Sequence, residues 1–173
     1  MAESDAARIA WLVGALGLEP HPEGGRYRRF HASTVQVSPV DGRGPRPGLT
    51  CIHYLLVAGE CSRWHRVASD EAWQFIEGAP LELLEADADF ERVETRVLGP
   101  FAPDATHGGG TDAEPVRVVP AGRWQAARPT GAYALVTCTV GPGFDFADFE
   151  LLRDDPDAAA SVGASGGDVA ALA

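Results

Sequence analysis

Two patterns of apolar positions divide the chain. Between Ser4 and Leu16, the residues Ile9, Leu12, Val13 and Leu16 recur at helical spacing. Ser4 suits the cap and Gly17 the C-terminal stop, which predicts one amphipathic helix over 4–16. Beyond Gly17 the helical period ends. Short apolar or alternating runs follow, divided by Gly, Pro and Asp, at 26–30, 49–57, 61–65, 72–77, 81–85, 92–98, 116–119, 123–127, 133–140 and 148–152. Their lengths and turn signals are those of strands in a sandwich or barrel. The predicted fold class is all-β, a jelly roll with one N-terminal helix.

Two interruptions break the series. Residues 38–48, rich in Pro, Gly and Arg, read as a loop. Residues 99–114 contain three consecutive glycines, and their length suits a mobile segment or a lid over a site. From Asp154 onward the chain is Ala, Gly, Ser and Asp, with little to bury, and is expected to be a disordered acidic tail. The domain reading is a flexible 1–7, a single domain over 8–153 and a tail over 154–173.

Composition narrows the function. The chain has 173 residues and a net charge of −11, and all 14 basic residues are arginine. A Schiff-base lysine or a P-loop lysine is therefore excluded. An acidic chain without a basic run argues against nucleic acid or an anionic membrane as partner. No apolar run is long enough to span a bilayer, and the first five residues are acidic where a signal peptide is basic. Cys51, Cys61 and Cys138 form an odd, widely spaced set, as expected of reduced thiols. The expected location is the cytoplasm.

The densest polar cluster spans residues 59–78. Period two puts Arg63, His65 and Val67 on one strand face, and Glu71, Trp73 and Phe75 on one face of the next. If these faces meet inside a barrel, a histidine, an arginine and a carboxylate line an aromatic-walled cavity, the composition of a small-molecule site. A Pro120-Ala121-Gly122 turn then leads to Arg123, Gln125 and Ala127 on a shared face.

Gly59, His65, Glu71 and Gly78 reproduce the first cupin motif, G-x5-H-x-H-x3-E-x6-G, in every spacing, with Val67 in place of its second histidine. Pro120-Ala121-Gly122 resembles the core of the second motif, with Gln125 at the position of its metal-binding histidine. Leu18–Gly25, Ser62–Arg66, Asp70–Trp73, Val119–Gly122 and Gly141–Glu150 resemble the cupin-5 (DUF985) family over roughly residues 8–152. The resemblance implies a double-stranded β-helix, a homodimer and a ligand pocket in the barrel mouth.

Cupins usually hold a divalent metal through three histidines and a glutamate. Here the matching set is His65, Glu71 and the neutral amide Gln125, with apolar Val67 at the fourth position, a set that should bind metal weakly. The favoured reading is therefore a cofactor-free site for acid/base chemistry of the epimerase or isomerase kind on a small polar, anionic or sugar-like substrate. His65 is the expected base, with Glu71 or Asp70 as its carboxylate partner or a second acid. Arg63 and Arg123 are the expected anion clamps, Gln125 a further substrate contact, and Trp73 and Phe75 the walls. Glu23, Tyr27 and Arg28 could reach the mouth if paired Gly24 and Gly25 bring their backbone close, a β-bulge at the sheet edge being the alternative. Phe144 and Phe146 read as core aromatics, with Asp145 or Asp148 available to an arginine. Metal-dependent catalysis and non-catalytic binding of a metabolite are the alternative functions.

Overall fold

A computed structural model describes residues 4–101, 113–164 and 170–173. Helix α1 (Asp5–Leu16) starts where the Ser4 side chain accepts a hydrogen bond from the Ala7 N–H. It ends where Gly17 turns left-handed at φ 61°. Residues 5–7, expected to be flexible, thus belong to a capped helix. Ile9, Leu12, Val13 and Leu16, the apolar stripe, pack on Leu55, Tyr133 and Leu135.

The remainder is β-structure. The strands are β1 (Glu19–Pro20), β2 (Arg26–Ala32), β3 (Gln36–Val37), β4 (Arg46–Pro47), β5 (Thr50–Val57), β6 (Ser62–Val67) and β7 (Asp70–Gly78). They continue with β8 (Leu81–Ala86), β9 (Val93–Leu98), β10 (Ala113–Glu114), β11 (Val116–Val119), β12 (Trp124–Pro129), β13 (Tyr133–Gly141) and β14 (Phe149–Leu151). One sheet has the order β1-β2-β5-β13-β7-β11 and the other β10-β9-β8-β12-β6-β14, with β3-β4 a separate hairpin. Pairing is antiparallel except between β9 and β10. This is the expected jelly roll, and each of the ten runs forms a strand. The hairpin places short β4 inside the stretch expected to be a loop, and residues 102–112 of the expected lid lie outside the described residues.

Inward residues of both sheets, among them Tyr54, Leu56, Trp73, Leu81, Leu83, Ala127 and Val136, form the central core. Each fully buried large apolar side chain stabilises the fold by about 1.5–3 kcal/mol. Leu83 and Leu84 are both buried because they point to opposite faces of β8, each face having its own core. Helix α1 covers the outer face of the first sheet.

The described residues of the C-terminal segment cover the second, with a helix where a disordered tail was expected over 154–173. Helix α2 (Pro156–Ala164) buries Ala158 and Val162 against Trp64, Trp124 and Ala126, joined by Leu172, and the Trp64 N–H donates to the Leu172 carbonyl at 2.9 Å. Two tryptophans on an outward sheet face need cover, and small alanines let a helix approach closely enough to give it. No helix among the described residues is long and apolar enough to cross a membrane.

Candidate functional site

The site lies where β6, β7 and the turn before β2 converge at one end of the central core. Its position depends on a bulge. β12 pairs Gln125 with His65 but Ala127 with Ser62, so three steps on β6 face two on β12. The extra residue breaks the strict alternation. Ser62, His65 and Val67 are buried, whereas Arg63 sends its guanidinium to the Pro22 carbonyl at 2.8 Å. Arg63 is therefore not among the cavity-lining residues, contrary to expectation.

Glu23 reaches the cavity through the paired glycines. Gly24 and Gly25 have φ 119° and 64°, and a Cβ on either would strike the backbone of Cys61 or Leu55. Their absent side chains let the turn lie against β5 and β6, fastened by the Arg63 N–H to the Glu23 carbonyl at 2.9 Å. This settles the role of the glycines as close approach to neighbouring strands. The Glu23 carboxylate then accepts a hydrogen bond from Ser62 Oγ at 2.8 Å and lies 3.4 Å from His65 Nε2 and 3.3 Å from His21 Nδ1. Burial alone would raise its pKa, but His65, His21 and Ser62 outweigh burial and hold Glu23 at about 2.

His65 is almost fully buried and its tautomer is fixed. Nδ1 lies 2.8 Å from the Arg63 carbonyl, which can only accept, so Nδ1 carries a proton. Nε2, facing Glu23, is the nitrogen left to gain or lose one.

Glu71 on β7 has the opposite setting. Its Oε2 accepts a hydrogen bond from Gln125 Nε2 at 2.6 Å, and Gln125 Oε1 accepts from Trp73 Nε1 at 2.9 Å. Burial pushes the Glu71 carboxyl above its ordinary range; the negative Glu23 adds to this, while His65 and the Gln125 amide pull the other way. Burial likewise raises the Cys138 thiol beside Glu71, so this cysteine stays protonated.

These contacts also bear on how the residues fit a metal. The indole N–H is a donor only, so it fixes the Gln125 oxygen toward Trp73 and the amide N–H toward Glu71. Gln125 therefore offers the cavity no metal-binding atom. Val67 supplies none either, and no group of three or more His, Cys, Asp or Glu among the described residues is arranged to hold a metal ion. The residues present do not fit the metal that a complete cupin motif would hold.

The inner cavity has a volume of about 30 Å³ and is lined by His21, Glu23, His65, Glu71 and Cys138 below apolar Val67, Val140, Phe144 and Phe149. That is room for roughly one or two waters, or for one small functional group. Phe149 tilts over His65 at 5.5 Å between ring centroids, and Phe144, Phe146 and Phe149 pack edge to face. These aromatics cover the site, where the sequence suggested core packing for Phe144 and Phe146. Asp148 anchors the cover, accepting two hydrogen bonds from Arg46 at 2.8 Å each and one from Arg43 at 3.2 Å. Outside it lies an open cleft of about 570 Å³ lined by Glu19, Tyr27, Arg28, Arg29, Phe144, Asp145 and Phe146. Tyr27, Arg29 and Phe144 line both spaces.

Of the expected site residues, His65, Glu71, Glu23 and Tyr27 meet at the inner cavity and Arg28 lies at the outer cleft. Gln125 and Trp73 stand behind Glu71 as supports, and Phe75 packs against the central core. Asp70 is exposed and accepts a hydrogen bond from the Ala121 N–H at 2.9 Å, so it caps a turn. Arg123 is paired with Glu85 at 2.9 Å, which uses its charge elsewhere. Four contributors were not singled out from sequence: His21, Ser62, Arg29 and Phe149. His21 and Ser62 stand inside quoted motifs, but only the folded contacts reveal their roles.

The cupin-5 family, described as Cupin superfamily (DUF985), matches residues 10–152. A hypothetical protein from Leishmania major is 29% identical with a TM-score of 0.71, covering 82% of this chain and 85% of that one. A protein from Shewanella oneidensis is 32% identical, also with a TM-score of 0.71, covering 87% and 85%. Oxalate decarboxylase from Bacillus subtilis is similar in fold, at 16% identity and a TM-score of 0.54, with 78% of this chain and 30% of that one covered. Comparison with curated proteins finds no match. With the motif spacings, the two packed sheets and the barrel-end cavity in agreement, this chain belongs to the cupin-5 (DUF985) family of the cupin superfamily.

Proposed function

We propose that the protein is an enzyme that transfers protons on a small polar substrate without redox chemistry, as in an epimerisation, isomerisation or elimination. One observation carries this reading. Two carboxyl groups line the same small cavity with their ionisation pushed in opposite directions, Glu23 held charged and Glu71 pushed toward its neutral form, with His65 beside them. Environments that drive two titratable groups apart assign a base and an acid.

His65 Nε2 takes a proton from a substrate carbon next to a carbonyl, and the imidazolium that forms is stabilised by the adjacent Glu23 carboxylate. The C–H electron pair becomes the C=C of an enol as the Glu71 carboxyl delivers its proton to the carbonyl oxygen. Return of a proton to carbon from either face completes an exchange, an epimerisation or an isomerisation. Gln125 holds Glu71 in place and Phe149 limits water.

The test is incorporation of solvent deuterium into a panel of neutral and anionic hydroxy-carbonyl compounds, followed by proton NMR. The wild-type protein should exchange a C–H of at least one member, and His65→Ala should slow this by about 100-fold or more. Undiminished exchange in His65→Ala overturns the assignment. Saturable binding without any exchange would instead make the protein a binding module.

A further inference from the structure

We propose that Arg29, assisted by Arg28, binds an anionic oxygen group of the substrate at the cavity mouth, so that the substrate is a small hydroxylated compound bearing one carboxylate or phosphate. This inference rests on the proton-transfer reading, because it places the remainder of the same substrate.

The argument starts from the arginines. Arg8, Arg26, Arg43, Arg46, Arg66, Arg92, Arg96, Arg117, Arg123, Arg128 and Arg153 each lie within 4 Å of an Asp or Glu oxygen. Among the described residues no such ion pair involves Arg28, Arg29 or Arg63. Arg63 is spent on the Pro22 carbonyl. The other two are exposed neighbours on β2, and both line the outer cleft. In a chain of net charge −11 that pairs eleven of its arginines with carboxylates, two guanidinium groups without ion pairs among the described residues, at one cavity mouth, create a local site for an anion.

Arg29 is the principal group because it lines the inner cavity as well as the outer cleft. Its contacts are weak: the Phe144 carbonyl at 3.5 Å and the Phe144 ring at 5.9 Å. Its donors therefore remain available to a planar or tetrahedral oxyanion. Arg28 is partly engaged, with Nη1 3.5 Å from the Leu16 carbonyl at the end of α1.

The inner cavity admits only a small reacting group, so the anion and any polar body must occupy the cleft of about 570 Å³. Glu19 and Asp145 line that cleft too, and they would repel a second anionic group while accepting hydrogen bonds from hydroxyls. One charge plus hydroxyls is the complementary pattern.

Calorimetric titrations with inorganic phosphate, gluconate, glucose 6-phosphate and glucose, at matched ionic strength, test the proposal. The wild-type protein should bind gluconate or glucose 6-phosphate saturably and more tightly than glucose. Arg29→Gln should weaken that binding tenfold or more, Arg29→Lys should fall between, and Arg96→Gln, outside the site, should match wild type. Preference for gluconate identifies a carboxylate as the anion, and preference for glucose 6-phosphate a phosphate. Equal affinity in Arg29→Gln, or saturable binding of none of the anions, overturns the proposal. Deuterium exchange confined to neutral compounds would also overturn it while leaving the His65 assignment standing. Anion binding that depends on Arg29, with no exchange on any compound, would reject the catalytic reading alone.

Discussion

The side-chain nitrogen of Gln125 donates to Glu71 Oε2 at 2.6 Å, at the position where a complete cupin motif would carry a metal-binding histidine. The other end of the same amide accepts from Trp73, so one neutral side chain satisfies a buried carboxyl and a buried indole. This relay replaces ligation with positioning, and it underlies the acid/base reading.

Gln125→Leu keeps the volume but leaves the Trp73 N–H and one Glu71 oxygen without partners. The unfolding free energy should fall by at least about 2 kcal/mol, seen as a lower denaturation midpoint with unchanged slope. A loss below about 0.5 kcal/mol would show that neither group depends on the amide.

Stability should depend on pH in a predictable direction. Glu23 is held at about 2, below its ordinary 4.5, so its stabilising contribution is full above pH 4.5 and is lost as pH falls toward 2. A depression of this size corresponds to about 3 kcal/mol. Glu71 is raised, so its contribution has the opposite sign, present below the ordinary carboxyl range and lost as pH rises through its folded value. Glu23→Gln should flatten the acid limb, and Glu71→Gln should be relatively more stable at neutral pH than at pH 4. Urea titrations across pH 2–7 at constant ionic strength check both signs.

The Asp148 clasp links the aromatic cover to the 38–48 segment. Asp148→Ala removes the only acidic partner recorded for Arg46 and one of two for Arg43 among the described residues. We expect a loss of no more than about 3 kcal/mol and faster amide exchange over residues 144–149. Unchanged exchange there would mean that apolar packing alone holds the cover.

The donor set leads to a prediction about metal. Elemental mass spectrometry of untagged wild-type protein should find well below one equivalent of any transition metal. Val67→His with Gln125→His restores two imidazoles and should gain zinc or nickel binding. Near-stoichiometric metal in the wild type, lost in His65→Ala, would contradict the reading of Gln125.

Much of this was legible along the chain because strands and motif spacings are local. The G-x5-H and x3-E intervals placed His65 and Glu71 on consecutive strands, one in each sheet, and the ten apolar runs became ten strands. What escaped was set by distant contacts. Arg63 shares its period with His65, but a one-residue bulge against β12 moved it off the face. Asp70 and Arg123 stand in the same motifs, yet one caps a turn and the other pairs with Glu85 across the sheet. The acidic tail is poor in large apolar residues, and its helix docks because outward Trp64 and Trp124 need cover. Glu23 was only one of several candidates until the turn at Gly24 and Gly25 folded onto β6 and brought it to His65.

The most direct test is a carbon-13 NMR titration of the Glu23 and Glu71 side-chain carboxyls from pH 2 to 8. The two should titrate far apart, Glu23 near 2 and Glu71 above the ordinary 4.5, so that one is charged while the other still holds its proton. Overlapping titrations near 4.5 would remove the distinction between acid and base, and the proposed proton-transfer chemistry with it.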